Sequence, residues 1–197
     1  MLLDPLLYGF VFLGLFTPGP NVIMLTASGV RFGFLRTLPH LFGVVLGVGI
    51  TAAVTALGVG AAVTAVRALK LAVRIGGAGF ILWMAWGYWR AAGRPRAAGQ
   101  AGDRPLPFVG AVLFQWINPK VWAVAFAASA AYPGGFAPWI EALRLGLAFS
   151  SLNLGVCLFW TSAGALLSAL LSSPRAWKLF LRLMALLLAG SVLLVFR

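Results

Sequence analysis

Of 197 residues, 62% are hydrophobic and only 9% charged, and the mean hydropathy of +1.01 leaves too little polar surface to cover a water-soluble fold. The formal net charge of +12 does not mark a nucleic-acid binder, because the basic residues fall in short gaps between apolar runs rather than along one helix face. Asp4, Asp103 and Glu141 are too few for an acid-rich proton relay, and a single cysteine, Cys157, excludes an intramolecular disulfide.

Six apolar segments follow one another at about 6–26, 39–64, 70–90, 108–131, 143–169 and 177–196, each near the ~20 residues a membrane-spanning helix requires. The fold class expected is all-α, a polytopic membrane protein forming one transmembrane domain over 1–197. The first segment lacks the charged start and small-residue cleavage site of a signal peptide, so it is expected to remain as a span. It is interrupted by FTPGPN at 16–21. A proline inside a helix removes a backbone donor and clashes with the carbonyl four residues back, and in hydrocarbon the freed groups need protein or a watery cavity. Past Pro18 and Gly19, Pro20 suits the first turn of a new half-helix and Asn21 offers a polar side chain. The amide donors at such a start, and the positive end of its dipole, favour an anionic group.

In the second segment Gly43, Gly47, Thr51, Thr55 and Gly58 form a narrow small face suited to close helix packing or to a substrate path. The only histidine, His40, lies beside Pro39 at the segment's start, as a boundary residue or one that senses pH during gating. Trp83, Trp86, Trp89, Trp139 and Trp177 near segment ends read as headgroup-level anchors. The stretch 91–107 is a Gly/Pro/Arg linker expected to be flexible.

The fourth segment carries a second break, FQWINPKVW at 114–122. Lys120 lies there on the order of 16–18 Å from either end of the segment at ~1.5 Å per residue, too deep to snorkel, so it should meet a cavity, an anion or carbonyls freed by Pro119. Pro18 and Pro119 are 101 residues apart, an offset that also places Gly9 on Gly110 and Thr17 on Asn118. Halves of about 1–90 and 108–197 with three spans each would enter the membrane from opposite sides, as two inverted repeats with helices one and four broken. In the fifth segment Ser150, Asn153 and Cys157 share a face, and Asn153 is read as a substrate contact or an interhelical hydrogen bond. Nine basic residues flank one side of the six segments and five, Arg67, Lys70, Arg74, Arg144 and Arg197, flank the other, which favours both termini outside and 91–107 in the cytoplasm.

The paired breaks point to a secondary transporter with a central site made by Pro18, Gly19, Pro20, Asn21, Asn118, Pro119, Lys120 and Asn153. Lys120 and the half-helix start would hold a carboxylate, while freed carbonyls and Asn118 would take an ammonium group. A membrane-embedded enzyme is disfavoured, since no Ser/His/Asp set, HExxH or CxxC is present, and neither a metal nor a cofactor is called for. A membrane scaffold or assembly subunit built on Gly-rich helix faces is the alternative, and a homodimer on such faces is compatible with transport.

The motifs TPGPN (17–21), SGVRFGFLRTLPHLFGVVLG (28–47), GAGFILWMAW (77–86) and FQWINPK (114–120) resemble the lysine exporter/threonine exporter family of bacterial amino-acid efflux proteins. GAGFILWMAW and LNLGVCLFWTSAG (152–164) look most like its cysteine and O-acetylserine branch. The resemblance implies an inner-membrane permease that moves a neutral amino acid or derivative outward, driven by protons and without ATP. It carries the motif roles onto Pro18, Gly19, Pro20 and Asn21 and onto Asn118, Pro119 and Lys120. The chain departs from the family pattern at Phe80, where relatives often have tyrosine, and at Ala85, where many have glycine.

Overall fold

The computed structural model describes residues 4–17, 19–58, 67–93, 104–170 and 173–195. These form eight α-helices: α1 (Pro5–Phe16), α2 (Pro20–Phe32), α3 (Phe34–Ala56), α4 (Arg67–Ala92), α5 (Phe108–Ile117), α6 (Pro119–Ala131), α7 (Pro138–Leu170) and α8 (Pro174–Ser191), with a 3-10 turn at Val192–Val195. Five of the eight begin on proline, whose fixed φ and missing N–H suit the first helical position. Side-chain oxygens then cap several starts: Asp4 accepts from the Leu6 amide at 3.0 Å, and Ser173 accepts from the Ala176 amide at 3.1 Å.

α3 and the Pro138–Ser168 part of α7 are each long and apolar enough to cross a membrane, and α1 with α2 makes a third such stretch if the pair, bent by 58°, is one span. The expected gap between the first two segments shrinks to Gly33, whose φ of +78° turns the chain where a side chain would be strained. Helix α3 therefore starts before Pro39, which is carried inside it, and His40 is a fully buried residue of the helix rather than a boundary one. Most of the 91–107 linker lies outside the described residues, as do Pro18 and the Phe80 side chain.

α3 packs on α7 and on both α5 and α6; α7 packs in turn on α1 and α2, and α4 lies against α8. Small residues set these approaches. A Cβ at Gly43 would strike the Phe108 carbonyl of α5, and one at Gly164 of α7 would strike the Thr26 carbonyl of α2. Of the small face on α3, Gly43, Gly47, Thr51 and Thr55 are buried, but Gly58 lies exposed beyond the helix end with φ +82°. The two threonines turn their hydroxyls onto carbonyls of their own helix, Gly47 at 2.9 Å and Thr51 at 2.8 Å, which leaves a packing face rather than a polar path.

Two other side chains depart from expectation. Trp177 is core, packed with Phe180, Leu181 and Ile81, whereas Trp83, Trp86, Trp89 and Trp139 are exposed. Arg144 is buried rather than a solvated flank: its Nε pairs with Glu141 at 2.8 Å and its guanidinium donates to the Tyr132 carbonyl, while Glu141 accepts the Phe136 amide at 3.3 Å. Together they staple the turn before α7.

Candidate functional site

The two helix breaks face each other, and they are built differently. At the second, Asn118 is the N-cap of α6 and its Oδ1 accepts the Lys120 amide at 3.2 Å. In an unbroken helix that amide would have gone to the Trp116 carbonyl. Trp116 is instead taken by the indole Nε1 of Trp122 at 3.0 Å, and the Gln115 carbonyl, which Pro119 cannot serve, accepts the Asn118 amide at 3.2 Å. The carbonyls of Gln115 and Trp116, which lose their helical donors at the break, are thus answered by the neighbouring Asn118 and Trp122.

At the first break the Thr17 amide and hydroxyl bond back to Leu13 at 3.2 Å and Gly14 at 3.0 Å. The Thr17 carbonyl then receives the Lys120 ammonium from the other break. Gly19, the N-cap of α2, provides no side-chain cap. Gly19 also makes room for the lysine: a Cβ there would lie 2.7 Å from Lys120 Cδ and 3.0 Å from Nζ. The carbonyl expected to hold Lys120 therefore belongs to the opposite half of the chain and not to the Pro119 break.

A residue that the motif reading passed over joins the two breaks. Gln115, fully buried, exchanges amide hydrogen bonds with Asn21, whose Nδ2 donates to Gln115 Oε1 at 2.9 Å while Gln115 Nε2 donates to Asn21 Oδ1 at 3.2 Å. Gln115 Oε1 also accepts from Asn118 Nδ2 at 3.4 Å, and Nε2 donates to the Ala111 carbonyl at 3.0 Å. Its signal in the sequence was a lone amide three residues before Asn118, hence on the same helix face.

Between the breaks lies a small cavity lined by Gly19, Asn21, Asn118, Lys120, Asn153 and Trp160, with Leu15, Val22, Leu25, Val156 and Cys157 as its apolar wall. It offers about 20 Å³ to the centre of a water-sized molecule, room for one or two waters. Two buried donors that line it, Asn153 Nδ2 and Trp160 Nε1, have no hydrogen-bond partner among the described residues. Buried donors are nearly always paired, so two beside an ammonium describe a place prepared for an acceptor. Ser150 does not join Asn153 and Cys157 there; its hydroxyl turns toward the Val45 carbonyl of α3 at 3.4 Å. Pro20 and Pro119 start α2 and α6 and are not among the residues that line the cavity.

Apolar helices around a donor-lined space at facing helix breaks are the build of a multi-pass membrane transporter. The chain belongs to the LysE type translocator family, whose model matches residues 12–196. The family comprises amino-acid efflux transporters and not enzymes. Neither the curated proteins nor the solved structures contain a match to this chain.

Proposed function

We propose that this chain exports a neutral amino acid or small derivative, of the cysteine/O-acetylserine or homoserine/threonine kind, across the bacterial inner membrane, and that the cavity between the breaks is its binding site. The observation that carries the reading is the convergence of the Lys120 ammonium, Asn153 Nδ2 and Trp160 Nε1 beside the uncapped start of α2. All are donors, and a carboxylate answers donors. When the substrate carboxylate takes Lys120, the Thr17 carbonyl is released and is left to accept the substrate's ammonium. Asn118 cannot fill that part while its Oδ1 caps α6.

The exchange has a mechanical consequence. Lys120 and Thr17 belong to different halves, and their hydrogen bond is one of the links across the cavity. A zwitterion that replaces it inserts itself into the link and needs more than the present 20 Å³, so binding and opening are one event. The small, apolar wall from Val22 to Cys157 suits a short side chain. Packing supports an inverted repeat: exchange of the first three spans with the last three maps α1/α2 on α7 onto α5/α6 on α3, and leaves α3 on α7 and α4 on α8 unchanged. With no acid among the described residues that line the cavity, proton coupling would run through Lys120 or the substrate's own ionisation.

The test is efflux of labelled amino acids from proteoliposomes loaded with each compound in turn, with and without a pH gradient. Saturable, selective efflux that Lys120→Met loses supports the reading. Flux equal to protein-free liposomes for every compound, from folded protein, ends it.

A further inference from the structure

A second cavity lies away from the breaks, between the ends of α2 and α4, the start of α3 and the segment before α5, and its volume of about 400 Å³ compares with about 20 Å³ for the cavity between the breaks. One helix lines both. Asn21, Val22 and Leu25 of α2 face the smaller cavity, while Ser28 and Phe32 face the larger one. At 3.6 residues per turn Asn21, Leu25, Ser28 and Phe32 form one continuous stripe along α2. The two cavities are therefore neighbours on one helix face, and Leu25 and Ser28, a turn apart, mark the step from one to the other.

Leu25 is 1% exposed, and past it the stripe turns polar. Ser28 and His40 line the larger cavity, His40 Nδ1 lies 3.1 Å from the Ser28 hydroxyl, and the buried Nε2 of His40 has no hydrogen-bond partner among the described residues. Whichever ring nitrogen carries the proton, a polar atom in that position calls for water, which wets the larger cavity down to His40. On the other side, toward the start of α1 and the end of α6, the smaller cavity meets packed core. Leu15 and Val121, which line it, continue into Leu7, Val11, Ala125 and Ala128, none of them more than 7% exposed. The barrier is thus several layers of side chains thick on one side, and a single leucine of α2 on the other.

We propose that the larger cavity is the vestibule through which a solute reaches the cavity between the breaks, and that Leu25 is the gate between them. An apolar side chain between two polar spaces closes a route by excluding water, and a small movement of the helix that carries it opens the route again. That helix is α2, which starts at the open break, so release of the Thr17 carbonyl by Lys120 loosens the start of the same half-helix that holds Leu25 two turns on. The inference rests on the reading of the smaller cavity as the binding site and adds the way into it.

The protein carries its own probe. Cys157, the single cysteine, is buried and lines the smaller cavity, so a small anionic methanethiosulfonate added to the full-length protein in detergent labels it only by an aqueous route. Leu25→Ala should speed labelling at least about tenfold, as a larger open population does. Gly87 lines the vestibule, and a Cβ added there meets nothing within 4 Å, so Gly87→Trp narrows the vestibule without a clash. In the Leu25→Ala background it should return labelling to the wild-type rate. Should Leu25→Ala fail to fold, Leu25→Val, which removes one methylene, takes its place in both measurements. An unchanged rate in the Leu25 variant, or a faster rate that Gly87→Trp leaves intact, overturns the proposal, because the reagent then arrives by another way. Labelling involves no transport, so the two readings fail separately. Labelling as expected without efflux of any compound ends the export reading and keeps the route, whereas efflux with labelling indifferent to both substitutions ends the route and keeps export.

Discussion

The two helix breaks differ in how they settle the backbone groups that a break sets free. The one at Asn118 is closed: the cap, the Trp122 indole and the Asn118 amide answer the groups around Pro119 from within its own half. The one at Thr17–Gly19 is open: its carbonyl depends on a lysine from the opposite half, and the first turn of α2 has no side-chain cap. A closed break can be rigid, and a rigid break can hold the half-buried Lys120 at a fixed place among apolar helices. An open break has donors and an acceptor to offer, and a ligand is what they lack. On the function proposed above, the asymmetry would divide the labour, with the second half presenting Lys120 and the first half the surface against which a zwitterion is held.

The largest effect should come from removing what one break lends the other. Lys120→Met deletes a charge-assisted hydrogen bond of about 1.5–3 kcal/mol, so efflux at subsaturating substrate should fall by about 10- to 100-fold. Initial rates against internal substrate concentration measure it, and an unchanged rate would show the lysine to be structural. Next is the amide that joins the breaks. Gln115→Leu leaves buried amide atoms of Asn21 and Asn118 without a partner and should destabilise the fold by about 1–3 kcal/mol, seen as a lower thermal midpoint in detergent. If only one break depended on Gln115, Asn21→Ala in the Gln115→Leu background would cost as much again; a shared network predicts much less than additive loss. Smaller still is the cap. Asn118→Ala should cost about 1 kcal/mol, the ordinary worth of an N-cap, with its effect on transport arising through a looser Lys120.

Much of this was legible in the sequence because proline acts locally. PGPN and NPK announced where helices stop and restart, and α2 and α6 begin on Pro20 and Pro119. The restarts, however, place Gly19 opposite Asn118 as the two N-caps, whereas the prolines alone had paired Pro18 with Pro119 and Thr17 with Asn118. Lys120 was legible as a residue that needs a partner, but not which partner, since Thr17 is 103 positions away and only tertiary packing brings it close. Gln115 went unread for a related reason: a single amide in an apolar helix has many possible neighbours, and only the fold selects Asn21. Arg144 was misread as a flank because a net count of charges cannot see that Glu141, one turn earlier, and the Tyr132 carbonyl would bury it.

The smallest expected effect on stability separates the two breaks most sharply. Gly19 has extended backbone angles, φ −172° and ψ −179°, which any residue adopts, so Gly19→Ala introduces no backbone strain. As an N-cap, alanine is poorer than glycine by roughly 0.5 kcal/mol, a shift near the limit of detection. Its methyl group, however, would sit 2.7 Å from Lys120 Cδ, and the flexible lysine is what yields. The ammonium should leave the Thr17 carbonyl, and the half-saturating substrate concentration should rise several-fold while the unfolding midpoint barely moves. Asn118→Ala is expected to do the reverse, lowering the midpoint more and the affinity less. If the two substitutions gave the same ratio of affinity loss to stability loss, the breaks would be equivalent, and the division between a closed break that presents the lysine and an open break that receives the ligand would have to be abandoned.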